Sequence, residues 1–264
     1  MTATVAKLIR IQTADVLRSR WIALYAAFFL CLTEGLLRFS GGDARAVLSL
    51  GTAVLMVIPL ASLVLATIYV YNAREFTELL LAQPIHRSSL FTGLYLGLSL
   101  PMAVAFLAGV GVPFLTRGGA EPDVRGALAM LLVVGALLTF VFTAVAFWIA
   151  LRTEDRLRGV GIALGVWLLV GVLYDGMVLL GVALFSDYPV ERALLALTLA
   201  NPIDLGRVLL LLTLDVAALM GYTGAVFERF FGGTGGALLA LTMLLVWTAV
   251  PIAAGARRFR RRDF

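Results

Sequence analysis

Residues 72–97 read NAREFTELLLAQPIHRSSLFTGLYLG. The segment lies between two long apolar runs, and most of its charge falls in its first half, at Arg74, Glu75 and Glu78. Leu79, Leu80 and Leu81 follow. Pro84 stops a helix, Arg87 and Ser88 restart one, and a new apolar run begins at Leu90. Each flanking run exceeds the roughly 20 apolar residues a span requires. The segment is therefore a tight connection between two spans. It is either a solvated loop or a short amphipathic helix that docks onto a soluble partner.

The whole chain fits that reading. Of its 264 residues, 61% are hydrophobic and 14% charged, and there is a single cysteine. A soluble domain carries about 45–50% apolar and about 25% charged residues. The runs are too long and too uninterrupted to be barrel strands, which alternate, so the spans are helices. The expected fold is an all-α integral membrane protein. No cleavable signal peptide is expected, because residues 1–20 are polar and basic rather than an apolar core. Thr2 to Arg18 read instead as an interfacial helix. Val5, Leu8, Ile9, Val16 and Leu17 share one side, and Lys7, Arg10 and Arg18 reach toward lipid headgroups.

Six spans are expected, near Trp21–Leu37, Val47–Tyr71, Leu90–Leu115, Ala127–Leu151, Gly159–Phe185 and Gly236–Ala256. Fourteen of the 21 Lys and Arg residues fall on the side of the two termini, including those at 74, 87, 152, 156 and 158. The positive-inside rule then makes both termini, and loops 72–90 and 152–158, cytoplasmic. The opposite side carries short loops at 38–46 and 116–126 and a long segment at 186–235. Within it Asn201 can cap a helix, Pro202 suits its first turn, and Asp204 favours the positive helix end. The apolar content predicts short helices that lie in the outer interface or dip into the membrane. Whether 208–222, apolar except for Asp215, enters the membrane stays open at this point. FGGTGG at 231–236 is no phosphate loop, because Ala237 and Leu238 stand where a Walker A motif needs Lys and Ser/Thr.

Chemistry-bearing groups are sparse. His86 is the one histidine, and the methionines fall singly, so no metal site is expected. No catalytic set can be built around His86, no cofactor is expected, and the chain reads as a subunit that is not itself an enzyme. Two acids stand inside spans. Asp175 lies toward the outer end of the fifth, and Glu34 sits in the first with Arg38 one turn on. Both read as outer-edge anchors ahead of a substrate role. Small residues recur at Gly93 and Gly97, at Gly161 and Gly165, and at Gly135, Thr139 and Thr143, where they permit close helix approach within one subunit or across a dimer. A secondary carrier would show midplane charges and broken helices, and neither is evident.

Six spans, an N-terminal interfacial helix and the pattern Leu79-Leu80-Leu81-x-x-Pro84-x-x-Arg87 resemble type-2 ABC-transporter permeases. GIALGVWLLVGVLYDGMVLL, Gly161 to Leu180, and the segment from Ala200 to Leu210 are similar to the copper-processing branch, which serves nitrous oxide reductase maturation. The resemblance implies a homodimer in the inner membrane with two cytoplasmic ABC ATPase subunits. It implies a coupling helix carried by Glu75, Phe76, Glu78, Leu79, Leu80, Leu81, Pro84 and Arg87. For the copper-processing branch it also implies a periplasmic partner protein. An exporter of a hydrophobic or lipid-like substrate is the alternative within the family. Membrane lipids surround the chain, and no nucleic acid is expected as a partner. Two positions depart from the pattern: Glu75-Phe76 replaces a Gly-Thr pair, and Leu94 replaces a lysine after Gly93.

Overall fold

A computed structural model describes residues 2–81, 86–184, 191–213 and 234–261. Pro84, residues 185–190, Asp215 and the rest of 214–233 lie outside the described residues, as do three of the six positions of the glycine-rich stretch. Every described element is helical. Helix α1 spans Thr2–Leu17, α2 Arg20–Phe39, α3 Asp43–Asn72, α4 Arg74–Leu81 and α5 Arg87–Thr116. After a short 3-10 turn come α6 (Arg125–Ala150), α7 (Arg156–Leu168), a π-helical turn (Leu169–Leu173) and α8 (Tyr174–Leu184). Then follow α9 (Glu191–Ala200), α10 (Pro202–Thr213) and α11 (Thr234–Arg261).

Six of these units are long and apolar enough to cross a membrane: α2, α3, α5, α6 with its 3-10 turn, the continuous α7–α8 unit, and α11. They match the six predicted segments to within a few residues at most ends. Sequence sets the ends simply. Each run stops where charges and glycines allow backbone groups to meet water. The turns at 40–42 and 117–119 use Gly41, Gly118 and Gly119 at φ +73°, +93° and +92°, conformations open to glycine at little steric cost.

Side-chain bonds sort the loops into two ends. At one end the Tyr71 hydroxyl meets Thr153, Arg156 donates to Asn72, and Arg87 donates to the Arg260 carbonyl. At the other, Arg117 bonds Glu34, and the Glu121 amide donates to Asp43. The first end thus carries the end of α3, the start of α5, the 152–156 loop and the C-terminal helix end, which is the grouping the charge distribution predicts.

The core lies between α3, α5 and α6. Leu50, Ile58, Leu90, Phe106, Leu131 and Leu138 are fully enclosed there. In the apolar window of α5, 61% of residues are buried, against 11% in the fifth span, so α7–α8 stands at the periphery with its apolar side chains facing outward. Helix α1 does more than rest on a membrane surface. Its Gln12 is buried against α5, where a Cβ on Gly97 would come within 2.4 Å of the Gln12 Cβ. The Tyr69 hydroxyl of α3 donates to Gln12 Oε1 at 2.5 Å. A buried glutamine needs such a partner.

Helices α9 and α10 meet at 109°, a broken span or a re-entrant turn. Ile203, Leu205 and Leu209 bury one side of α10 in the core, and Gly206 admits Val134 and Leu55. One side of α10 is therefore packed into the helical bundle.

Candidate functional site

The predicted docking segment forms α4. Its start is set by a sharp exit from α3: the Ala73 amide still bonds Tyr69 O at 2.9 Å, and the Ala73 carbonyl then accepts from the Thr77 amide at 2.9 Å and from its hydroxyl at 2.7 Å. Glu75 in the first turn complements the helix dipole. Arg74 Nε reaches Glu78 Oε1 at 3.1 Å, one turn apart.

The helix has two distinct faces. Thr77 is buried, and Leu80 and Leu81 pack against the core. Glu75, Phe76, Glu78 and Leu79 point outward, with Leu79 70% and Phe76 40% exposed. Of the three consecutive leucines, one projects and two anchor. Arg87, which begins α5, donates from Nη1 to the Arg260 carbonyl at 3.0 Å, fixing the end of the loop to α11. Pro84 lies outside the described residues.

Beneath α4 sits an aromatic junction. Phe147 of α6 is met edge-on by Phe91 at 5.9 Å and by Tyr95 at 5.8 Å, both of α5. Tyr69 of α3 lies at 6.5 Å from the same ring, and Phe259 of α11 packs against Phe91 at 5.7 Å, its ring tilted by 53°. A cavity of about 30 Å³ between these rings is also lined by Arg74 and Thr77 of α4. Aromatic pairs of this kind add about 0.5–1.5 kcal/mol each beyond burial. Four long helices are therefore joined directly below the short one. The α6–α7 turn is tied to the same place, because Tyr71 Oη contacts both the hydroxyl and the carbonyl of Thr153 at 2.5 and 3.2 Å. Gly159 makes room for that ring: a Cβ there would lie 2.1 Å from the Tyr71 oxygen.

The two acids within spans sit at the opposite end, and each is ion-paired. Glu34 Oε1 takes Arg38 at 2.7 Å, as its spacing predicts, and Arg117 at 2.8 Å, a partner 83 positions away that no local pattern reveals. Asp175 pairs with Arg207 of α10 at 2.7 Å, and Arg207 also reaches Asp204 at 3.1 Å. Asn201 joins this cluster by donating to Asp204 at 3.1 Å and to the Val170 carbonyl at 3.0 Å. Val170 lies in the π-helical turn, where the i→i+4 ladder is interrupted and carbonyls become available. Asn201 Oδ1 also accepts from the Ile203 amide at 2.9 Å, which is the expected N-cap. The end of α9 is capped from outside: Tyr174 Oη donates to the Leu197 carbonyl at 2.8 Å and Trp247 Nε1 to that of Leu199 at 3.1 Å. Several backbone groups beside the break at 200–202 thus have partners, which irregular backbone inside a membrane protein requires. Among the described residues no group of three His, Cys, Asp or Glu side chains could hold a metal ion.

Two grooves open on the side of the molecule. One, of about 990 Å³, is almost wholly apolar and lies between α2 and α3 with Leu164 of α7 at its rim. The other, of about 780 Å³, continues it toward the α4 end, where Gln12, Asp15, Ser19 and Arg156 line it. On α7, Gly161 and Gly165 have nothing within 4 Å of where a Cβ would stand.

Comparison with known proteins gives a consistent result. The model of the ABC-2 family transporter protein matches residues 7–264. The chain is 30% identical over 275 residues to the probable ABC transporter permease protein NosY of Pseudomonas aeruginosa, covering 96% of both chains. It is 28% identical over 274 residues to the protein of the same description in Stutzerimonas stutzeri, again covering 96% of both.

Proposed function

The chain belongs to the ABC-2 transporter family as a permease subunit, and from that premise we propose that α4 is the element through which partner ATPases drive it. Both termini and α4 face the cytoplasm, where two ABC ATPase subunits bind a homodimer of this chain in the inner membrane. The observation that carries the proposal is the division of α4 into an outward face, Glu75, Phe76, Glu78 and Leu79, and an inward face held on the aromatic junction. A short helix mounted this way moves as a unit with α3, α5, α6 and α11. A push on Leu79 and Phe76 therefore reaches the long helices without passing through a flexible loop. Arg87 closes the segment through its bond to the α11 carbonyl, and Pro84, outside the described residues, is assigned to the same coupling segment.

At the far end the Asp175–Arg207–Asp204 cluster links the fifth span to the bent pair α9–α10. Work arriving from α4 is delivered there, to a periplasmic partner, and no metal ion crosses the subunit itself. The similarity to the two NosY proteins favours a role in copper processing for nitrous oxide reductase maturation. The open small-residue positions Gly161 and Gly165 on α7 suit close approach of a second copy. A second reading, export of a hydrophobic or lipid-like substrate, is favoured by the two continuous lateral grooves.

The test is charge reversal at Glu75 and Glu78 together, with ATPase assembly and stimulated hydrolysis measured in nanodiscs. Loss of either supports α4 as the docking element, and unchanged assembly and turnover removes it. The presence of a periplasmic protein in the purified complex separates the relay from the exporter.

A further inference from the structure

At the same end as α4, but on the side formed by α6 and α11, a cavity of about 550 Å³ is lined by Trp148, Arg152, Ala254, Arg257 and Arg258. We propose that this cleft is a binding site for the phosphate headgroup of an anionic phospholipid of the adjoining leaflet.

Three features carry the assignment. The first is charge. All three arginines are exposed, no acidic residue lines the cleft, and among the described residues none of the three has a carboxylate within ion-pair distance. Guanidinium groups suit phosphate because their fork of donors matches its oxygens. The second is order. Arg152 is held over the Trp148 ring, 4.2 Å from its centre, one helical turn away. The stack fixes one guanidinium at the mouth of the cleft, and a tryptophan at a span end marks headgroup level. The third is a path for the acyl chain. Val246, Val250, Ala254 and Arg258 follow one another at one-turn spacing on α11, and Val246 and Val250 are exposed at 46% and 61%. An apolar stripe thus leads from the bilayer interior straight to the arginines. A soluble anion would use the charges and have no use for the stripe, whereas a phospholipid uses both. Basic clefts between spans on the cytoplasmic side are recognised sites for anionic headgroups.

The experiment is native mass spectrometry of the purified full-length permease after equilibration with mixed micelles or nanodiscs of phosphatidylglycerol and phosphatidylcholine. Wild type is compared with Arg152→Gln/Arg257→Gln/Arg258→Gln and with a control of equal charge loss on the same side, Arg20→Gln/Arg74→Gln/Arg158→Gln. Each arginine removed from the cleft is expected to lower phosphatidylglycerol retention about fivefold, while the control retains wild-type binding. Equal loss in both variants would mean diffuse attraction to a basic surface, and no loss in either would mean no lipid site; either result overturns the proposal. Binding of inorganic phosphate as strong as that of phosphatidylglycerol would also overturn it, since the acyl stripe would then contribute nothing. Arg257→Gln/Arg258→Gln alone, at two exposed positions, gives an intermediate loss and guards against misfolding of the triple variant. An effect confined to ATPase association, with lipid retention unchanged, would assign the arginines to the ATPase instead.

Discussion

Replacing Arg207 should damage the protein more than replacing either carboxylate it holds. Its Nη1 lies 2.7 Å from Asp175 and 3.1 Å from Asp204, and the three side chains are 30%, 34% and 14% exposed. Arg207→Gln leaves two acids facing each other with no counter-charge. Asp175→Asn leaves Arg207 still paired with Asp204. Stranding a buried charge costs about 3–5 kcal/mol, and an exposed pair contributes about 0.2–1 kcal/mol. A cluster whose members are 14–34% exposed falls between those limits. Arg207→Gln is thus expected to cost about 2–3 kcal/mol, and Asp175→Asn about 1 kcal/mol or less. Large chains lose about 2–4 °C of melting temperature per kcal/mol. Heating the detergent-solubilised protein and following the monodisperse fraction should show a drop of about 4–12 °C for the first variant and at most about 4 °C for the second. Adding Asp204→Asn to Arg207→Gln should recover part of the loss, because the stranded repulsion is relieved. Equal losses for Arg207→Gln and Asp175→Asn would refute the anchoring argument. So would an Asp175→Asn protein of unchanged melting temperature that has lost all activity, since Asp175 would then act on something other than Arg207.

Other predictions concern the frame around this cluster. On α5, Gly109→Ala brings a methyl within 2.8 Å of the Phe29 Cβ and 2.9 Å of the Ala26 carbonyl, whereas Gly111→Ala meets nothing within 4 Å. The first should lower the melting temperature, with overpacking of about 1–3 kcal/mol exceeding a gain of about 0.5–1 kcal/mol in helix propensity, and the second should raise it slightly. Gly159→Ala should displace the Tyr71 ring, and Tyr71→Phe should remove its bonds to Thr153 without a clash. Both are expected to reduce the activity gained per ATP hydrolysed in the reconstituted complex, Gly159→Ala by more, and coupling ratios unchanged from wild type in both variants would show that the tie from α3 to the α6–α7 turn carries no force.

Much of this architecture is readable along the chain because a bilayer imposes length and polarity on each element. Charges at Arg20, Arg74 to Glu78, Arg87, Arg152 to Arg158 and Arg257 bound the spans, and a helix must fill the distance between them. Caps are local, so Asn201 before Pro202 was sufficient to predict the start of α10, and Glu34 with Arg38 predicted one ion pair. What was not readable depends on contacts between distant helices. Arg117 joins Glu34, and Arg207 joins Asp175, only because the bundle brings their ends together. The periodicity of α1 pointed to its apolar residues and passed over Gln12, a polar side chain that is buried because Tyr69 of α3 supplies its partner. The three leucines of α4 look equivalent in composition, but Leu80 and Leu81 share the helix face of the buried Thr77 and pack on the core, while Leu79 faces outward.

The role of α4 can be tested by proximity. Cys31 is the one native cysteine, so Cys31→Ser gives a background without thiols. In it, Leu79→Cys places a single reactive thiol on the outward face of α4, and Phe39→Cys, at a position 90% exposed, places one at the opposite end of the molecule. Cross-linking of each variant to its co-expressed ATPase in membranes, with and without ATP, is the decisive measurement. A cross-link from position 79 that changes in yield with nucleotide, and none from position 39, is the predicted result. No cross-link from position 79 in a complex that assembles and hydrolyses ATP would contradict the account.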